Sequence, residues 1–92
     1  MLRIENAQLT TFTCYPNPAS TSVTFTFDLP TRENVTIEVF NLIFQKMEEP
    51  VNSEYDEGLH QIEMSVKKFP LGTYFVKMHY SGTEITEKLI VD

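Results

Sequence analysis

Apolar residues in this chain recur at every second position, in runs that Pro, Gly and Asn keep short. Val23, Phe25 and Phe27 alternate with Ser22, Thr24, Thr26 and Asp28, and Val35, Ile37 and Val39 alternate with Thr36 and Glu38. His60, Ile62 and Met64 alternate with Gln61 and Glu63. A period of two is what a strand with one buried face requires, because successive side chains leave a strand on opposite sides. No segment of helical length carries a period of 3.6, so the chain is committed to β structure.

The punctuation between runs sets the strand count. Thr10 to Cys14 is β-prone and leads into Pro16 and Pro18, which hold Tyr15 and Asn17 extended and donate nothing to a ladder, so a kink is expected there. Leu29 to Asn34 is a turn, with Pro30 at its start. Val35 to Leu42 reads as the next strand, with Phe40 and Leu42 on its second face and a bulge or partial cover there. Gln45 to Val51 reads as a polar strand containing Pro50, which belongs at a sheet edge. Asn52 to Gly58 reads as an acidic loop. Thr73 to Tyr80 and Ile85 to Val91 read as a terminal pair joined through Ser81-Gly82-Thr83-Glu84. About seven short strands with turn signals every 8–12 residues or so predict an immunoglobulin-like antiparallel β-sandwich.

Ninety-two residues make one domain. A chain of this size buries roughly 65% of its unfolded surface, enough for one core but not for a core and a deep catalytic cleft. Met1 to Gln8 has weak periodicity and reads as a linker, with the domain running from residue 9 to 92. Met1-Leu2-Arg3 leads into a polar segment unlike a signal peptide, and no apolar run approaches the ~20 residues that span a bilayer. The formal net charge is −6, with Arg3, Arg32, Lys46, Lys67, Lys68, Lys77 and Lys88 scattered along the chain. That argues against nucleic acid and anionic membranes as partners, since both need clustered cations.

The residues able to carry chemistry are few. Cys14 is a lone thiol with no imidazole near it in sequence, and it reads as buried and inert. His60 and His79 are the only imidazoles, and no Cys or His spacing fits zinc. The acidic stretch Asn52 to Gly58 could offer oxygen ligands to calcium, but it lacks the spacing of a helix-loop-helix calcium site, and a solvated acidic loop is the favoured reading. Glu48 and Glu49 are adjacent on a strand, point to opposite faces and cannot share a proton. Asn34-Val35-Thr36 fits a glycosylation acceptor and is read as coincidence. No catalytic residue, cofactor or metal site is expected. Gly72 suits a tight strand entry that needs positive φ, and Tyr74 is placed to pin that corner through its hydroxyl.

Several short motifs occur in a fixed order. Tyr15-Pro16-Asn17-Pro18-Ala19-Ser20 opens the series. Val23 to Pro30 is an alternating strand ending in Leu-Pro, and Val35 to Asn41 runs Val-x-Ile-x-Val-aromatic-Asn. Gly58 to Ile62 follows, then Pro70-Leu71-Gly72-Thr73-Tyr74-Phe75-Val76, and the chain closes on Lys88-Leu89-Ile90-Val91. From about Tyr15 to Asp92 this pattern resembles the type A C-terminal sorting domain of the type IX secretion system of Gram-negative bacteria. One position departs: the family usually carries Gly about three residues after the strand-ending Asn, where this chain has Phe44. That change is expected to alter the hairpin and to expose apolar surface.

The resemblance implies a non-enzymatic address on a cargo protein. A cargo domain would lie N-terminal to it, and an outer-membrane translocon would read it in the periplasm before export to the cell surface or the medium. A sortase-like cysteine protease would then cut in or before Met1 to Thr13. By resemblance, translocon recognition falls on Pro70, Gly72, Tyr74, Lys88, Leu89 and Val91. Two other readings compete: a glycan-binding or adhesive sandwich using Phe44, Tyr55 or Tyr80, and an immunoglobulin-like scaffold of a flagellar hook-capping protein.

Overall fold

The computed structural model describes residues 11–92. The linker expected over Met1–Gln8 therefore lies outside the described residues. Seven strands follow in chain order: β1 (Phe12–Tyr15), β2 (Ser22–Leu29), β3 (Glu33–Phe40), β4 (Lys46–Tyr55), β5 (Gly58–Ser65), β6 (Gly72–Tyr80) and β7 (Thr83–Val91). They form a three-stranded sheet ordered β1-β2-β5 and a four-stranded sheet ordered β4-β3-β6-β7, with every strand pair antiparallel. This is the immunoglobulin-like sandwich that the alternation predicts. No helix occurs among the described residues.

The alternating apolar positions converge on one core between the sheets. Val23, Phe25 and Phe27 of β2 face Val35, Ile37 and Val39 of β3, with Val76 and Met78 of β6 and Leu89 of β7 completing the interior. No described polar or charged side chain is buried. Apolar burial and packing dominate among the core side chains, so truncating Phe25 or Phe27 to Ala costs about 3–5 kcal/mol.

Three expectations shift where strands pair. The acidic stretch is not a loop, because β4 continues to Tyr55 by pairing Asn52, Ser53, Glu54 and Tyr55 with Thr36, Val35, Asn34 and Glu33. An edge strand can be this polar because its outer side stays in water, and Arg32 holds the Glu54 and Asp56 carboxylates. Strand β3 ends at Phe40 rather than Leu42, since Asn41 starts the turn. The terminal hairpin is tighter than the four-residue connection: only Ser81 and Gly82 separate β6 from β7, at φ 48° and 76°. Two consecutive positive φ values give the twist that a two-residue hairpin needs.

Strand β4 lies at the edge of its sheet, as Pro50 predicts, and its register with β3 shifts twice, between Ile37 and Val39 and between Val39 and Phe40. Pro50 falls within the first of these irregularities. The second face of β3 at Phe40 is covered by Lys77, whose ammonium stands 5.3 Å from the ring centre.

Candidate recognition surface

The Tyr-Pro-Asn-Pro-Ala segment leaves the three-stranded sheet after Tyr15 and crosses to the far edge of the other sheet. Both X-Pro bonds in it, Tyr15-Pro16 and Asn17-Pro18, are cis. Prolines cannot supply ladder donors, so the Asn17 side chain takes that part. Its Nδ2 donates to Lys88 O at 2.7 Å, and its Oδ1 accepts from Ile90 N at 2.9 Å. Ala19 continues the pairing: its N donates to Ile90 O at 2.8 Å, and its O accepts from Asp92 N at 2.9 Å. Ala19 makes a parallel bridge to Val91 and is fully buried. Its methyl is the side chain that this close approach of two backbones accommodates. The first and last motifs of the chain thus form one clasp along the outer edge of β7.

The corner before β6 is built as the sequence predicts. Tyr74 Oη donates to Pro70 O, and the Tyr74 ring packs on Phe69 with centroids 5.2 Å apart. Gly72 has φ +149°, and a Cβ there would meet nothing within 4 Å. The requirement at Gly72 is therefore backbone conformation, not space.

The neighbouring β3–β4 turn contains the Gly-to-Phe departure. Asn41 organises it: Asn41 Oδ1 accepts from Ile43 N at 3.0 Å and from Gln45 N at 2.9 Å, and Phe44 N donates to Asn41 O at 3.0 Å. Phe44 has φ 64°, in the left-handed region that glycine enters at least cost. The hairpin closes despite the substitution, with the strain carried by Phe44 rather than relieved by another turn. The expected exposure of apolar surface is present. Leu42 is 59%, Ile43 73%, Phe44 67% and Leu71 77% exposed, and the Phe75 ring stacks on Phe44 with centroids 6.1 Å apart. An open cleft of about 330 Å³ runs between this turn and the Pro70–Tyr74 corner, lined by Asn41, Ile43, Met47 and Leu71 among others.

The six positions singled out by resemblance divide into two groups. Tyr74, Leu89 and Val91 are buried, because alternation on β6 and β7 turns them inward; Pro70, Gly72 and Lys88 are exposed. Gly72 pairs with Val91, and Tyr74 with Leu89, so the corner and the last strand are one hydrogen-bonded unit.

The residues weighed for chemistry are far apart. Cys14 is paired with Phe25 on one side of β2, and His60 with Phe27 on the other, so a whole strand separates thiol from imidazole, about 10 Å. Burial, with Glu87 nearby as the smaller cause, pushes the Cys14 thiol up to about 12, which keeps it protonated and unreactive near neutrality. His60 Nε2 donates to Asp56 O at 2.7 Å, and its ring packs against Phe27 and Tyr55. His79 lies on the outer face of the other sheet, 2.9 Å from Glu38 Oε1. Two of the three aromatics considered for glycan binding are taken up internally: Tyr80 is buried, and Tyr55 packs on Phe27 and His60.

The model of the family described as secretion system C-terminal sorting domain matches residues 13–92. The chain belongs to that family. It is a sorting signal for type IX secretion cargo, which carries an attached protein to the cell surface or the extracellular space. The clasp then has a clear meaning, since it ties the first and last motifs of the sorting domain into one surface. No curated protein gives a significant match to the chain. The match supports the sorting reading over the adhesive and hook-capping ones.

Proposed function

We propose that this sorting domain is a non-enzymatic address read as a folded object by the outer-membrane translocon while the cargo is in the periplasm. The exposed members of the candidate set, Pro70, Gly72 and Lys88, would touch the translocon. Tyr74, Leu89 and Val91 would act from the interior by fixing the shape that those three present. The apolar cleft and the exposed turn Leu42-Ile43-Phe44 adjoin Pro70 and Gly72, and an exposed apolar patch of this kind marks a protein contact. Residues 9–92 would form the sorting domain, with Met1–Gln8 as a linker. A sortase-like protease would cut in or before Met1 to Thr13 after export. No cofactor enters this scheme.

The observation that carries the reading is the clasp of Asn17 and Ala19 on β7, because it ties the first and last motifs of the sorting domain into one folded surface. Fusing Leu9–Asp92 to a periplasm-directed reporter in a host with the translocon should bring the reporter to the cell surface. Removing the last strand from Glu87 should leave it in the periplasm. In a folded domain, Leu71→Asp should also cut export several-fold. Export that persists in all variants overturns the reading.

A further inference from the structure

The charges of this domain are sorted along its strands. At the end where β2 and β6 finish and β3 and β7 begin lie Asp28, Glu33, Glu54, Asp56 and Glu84, with Arg32 among them. Lys46, Lys67, Lys68 and Lys88 gather at the opposite end, where β3 and β7 finish and β4 and β6 begin, against Glu48 and Asp92. The nine residues of β6 separate the two ends, a span of about 26 Å and so about three Debye lengths at physiological salt. A small ligand at one end therefore feels little of the charge at the other. The main chain enters β1 at the acidic end, where Asp28 N donates to Thr11 O at 3.3 Å, so the chain leading from an upstream cargo reaches the domain opposite the cleft.

The apolar cleft opens at the cationic end. Among the described residues, those that line it carry no charge; Ile43 of the turn and Leu71 of the corner face each other across it. Lys68 lies beside the cleft through its 3.6 Å bridge to Glu48, the residue after Met47. That bridge is long and Lys68 is exposed, so a ligand carboxylate competes for the ammonium at little cost. On the outer face of the four-stranded sheet, Lys46, Phe40, Phe75 and Lys88 are cross-strand partners in one row, and Phe44 stacks on Phe75. Glu38 and Glu49 hold Lys46, whereas Lys88 forms no salt bridge among the described residues. The apolar slot is thus flanked by two available ammonium groups, Lys68 and Lys88.

We infer that the cleft takes a short acidic segment of a partner protein, with a large apolar side chain seated between Ile43 and Leu71 and flanking carboxylates on Lys68 and Lys88. This choice of ligand rests on the cleft being the contact surface of the sorting signal. Apolar burial supplies the attraction, and the two ammonium groups select the charge of what surrounds the anchor. A basic segment would set like charges beside Lys68 and Lys88. The cleft of about 330 Å³ holds one or two large side chains, which suits a peptide anchor rather than a whole folded face. An anionic membrane is a different case. Its charge extends beyond the domain, so it meets the full net charge of −6 rather than the cationic end alone.

The test is a titration of the whole chain with the peptide Asp-Glu-Leu-Phe-Glu-Asp, read from the Ile43 and Leu71 methyl shifts so that binding elsewhere is not counted. Saturation with a dissociation constant on the order of 100 μM to 1 mM is expected. Peptides with a Ser-Ser core or with Lys in place of every acid should bind those methyls at least about fivefold more weakly. Lys88→Glu should weaken the acidic peptide about fivefold, and Lys68→Glu/Lys88→Glu should reverse the preference toward the Lys-flanked peptide. Both lysines are exposed, so the amide spectra of the variants should show the parent fold. Methyls unmoved at about 5 mM peptide, equal binding of the Lys-flanked peptide, or variants that bind like the parent overturn the acidic ligand. So do phosphatidylglycerol vesicles that broaden those methyls while the peptide leaves them unmoved. Selective peptide binding together with normal export of Leu71→Asp would support the acidic ligand and overturn the cleft as the translocon contact.

Discussion

Among the described residues, Phe44 and Ser81 are the two non-glycine residues with positive φ, and they carry it in different settings. Ser81 is an exposed turn residue, so Ser81→Gly should raise stability by about 0.5–1 kcal/mol by removing the left-handed penalty, checked by chemical denaturation. Phe44→Gly should be near neutral, because relief of the same penalty is offset by the lost stack on Phe75. Gly72→Ala introduces strain without a clash and should cost about 1–2 kcal/mol. Cys14 contributes to alkaline behaviour through burial of its thiol. Its thiol is protonated in both states at low pH, and in the unfolded chain it ionises first, near 9, while the folded thiol holds out to about 12. Between those values the folded state binds more protons, so stability falls as pH rises, and Cys14→Ala should flatten that slope in pH-dependent unfolding.

At the scale of the element, the last strand is held on both sides by different chemistry. The inner side of β7 pairs with β6 through the main chain, and the outer side is bonded by the Asn17 amide and by Ala19. Asn17→Ala should therefore cost about 1–2 kcal/mol. The Ile90 amide should lose exchange protection, while the Leu89 amide, which points at β6, keeps its own. Equal loss at both positions would mean that the clasp does not act locally. The strands were legible because each has a period of two over an apolar set that needs burial, and Pro50 marked an edge because proline breaks a ladder. The strand part of Asn52–Tyr55 was not legible, because polar residues on an edge strand look like those of a loop. Only pairing with Glu33 to Thr36 distinguishes the two.

At the scale of the whole molecule, the Tyr15–Ala19 segment and the last strand are interdependent. Deleting residues 87–92 removes Leu89 and Val91 from the core and leaves Asn17 and Ala19 without partners, so cooperative unfolding should be lost in a thermal melt. A tail that could be removed with a folded core intact would show that the signal is a linear segment rather than a surface. The sequence alone determined the sandwich, the interior set and the order of motifs, because burial of alternate residues is a local, periodic demand that any reader of the chain can follow. It also determined that Gly72 and Tyr74 build a corner, since positive φ and a reaching hydroxyl are properties of single residues. Only the tertiary structure decided that the Asn17 amide completes the edge of the last strand, that Phe44 stands beside an apolar cleft, and that β4 runs on to Tyr55. Those features depend on which segments meet across dozens of residues of chain, and no short-range pattern encodes that meeting.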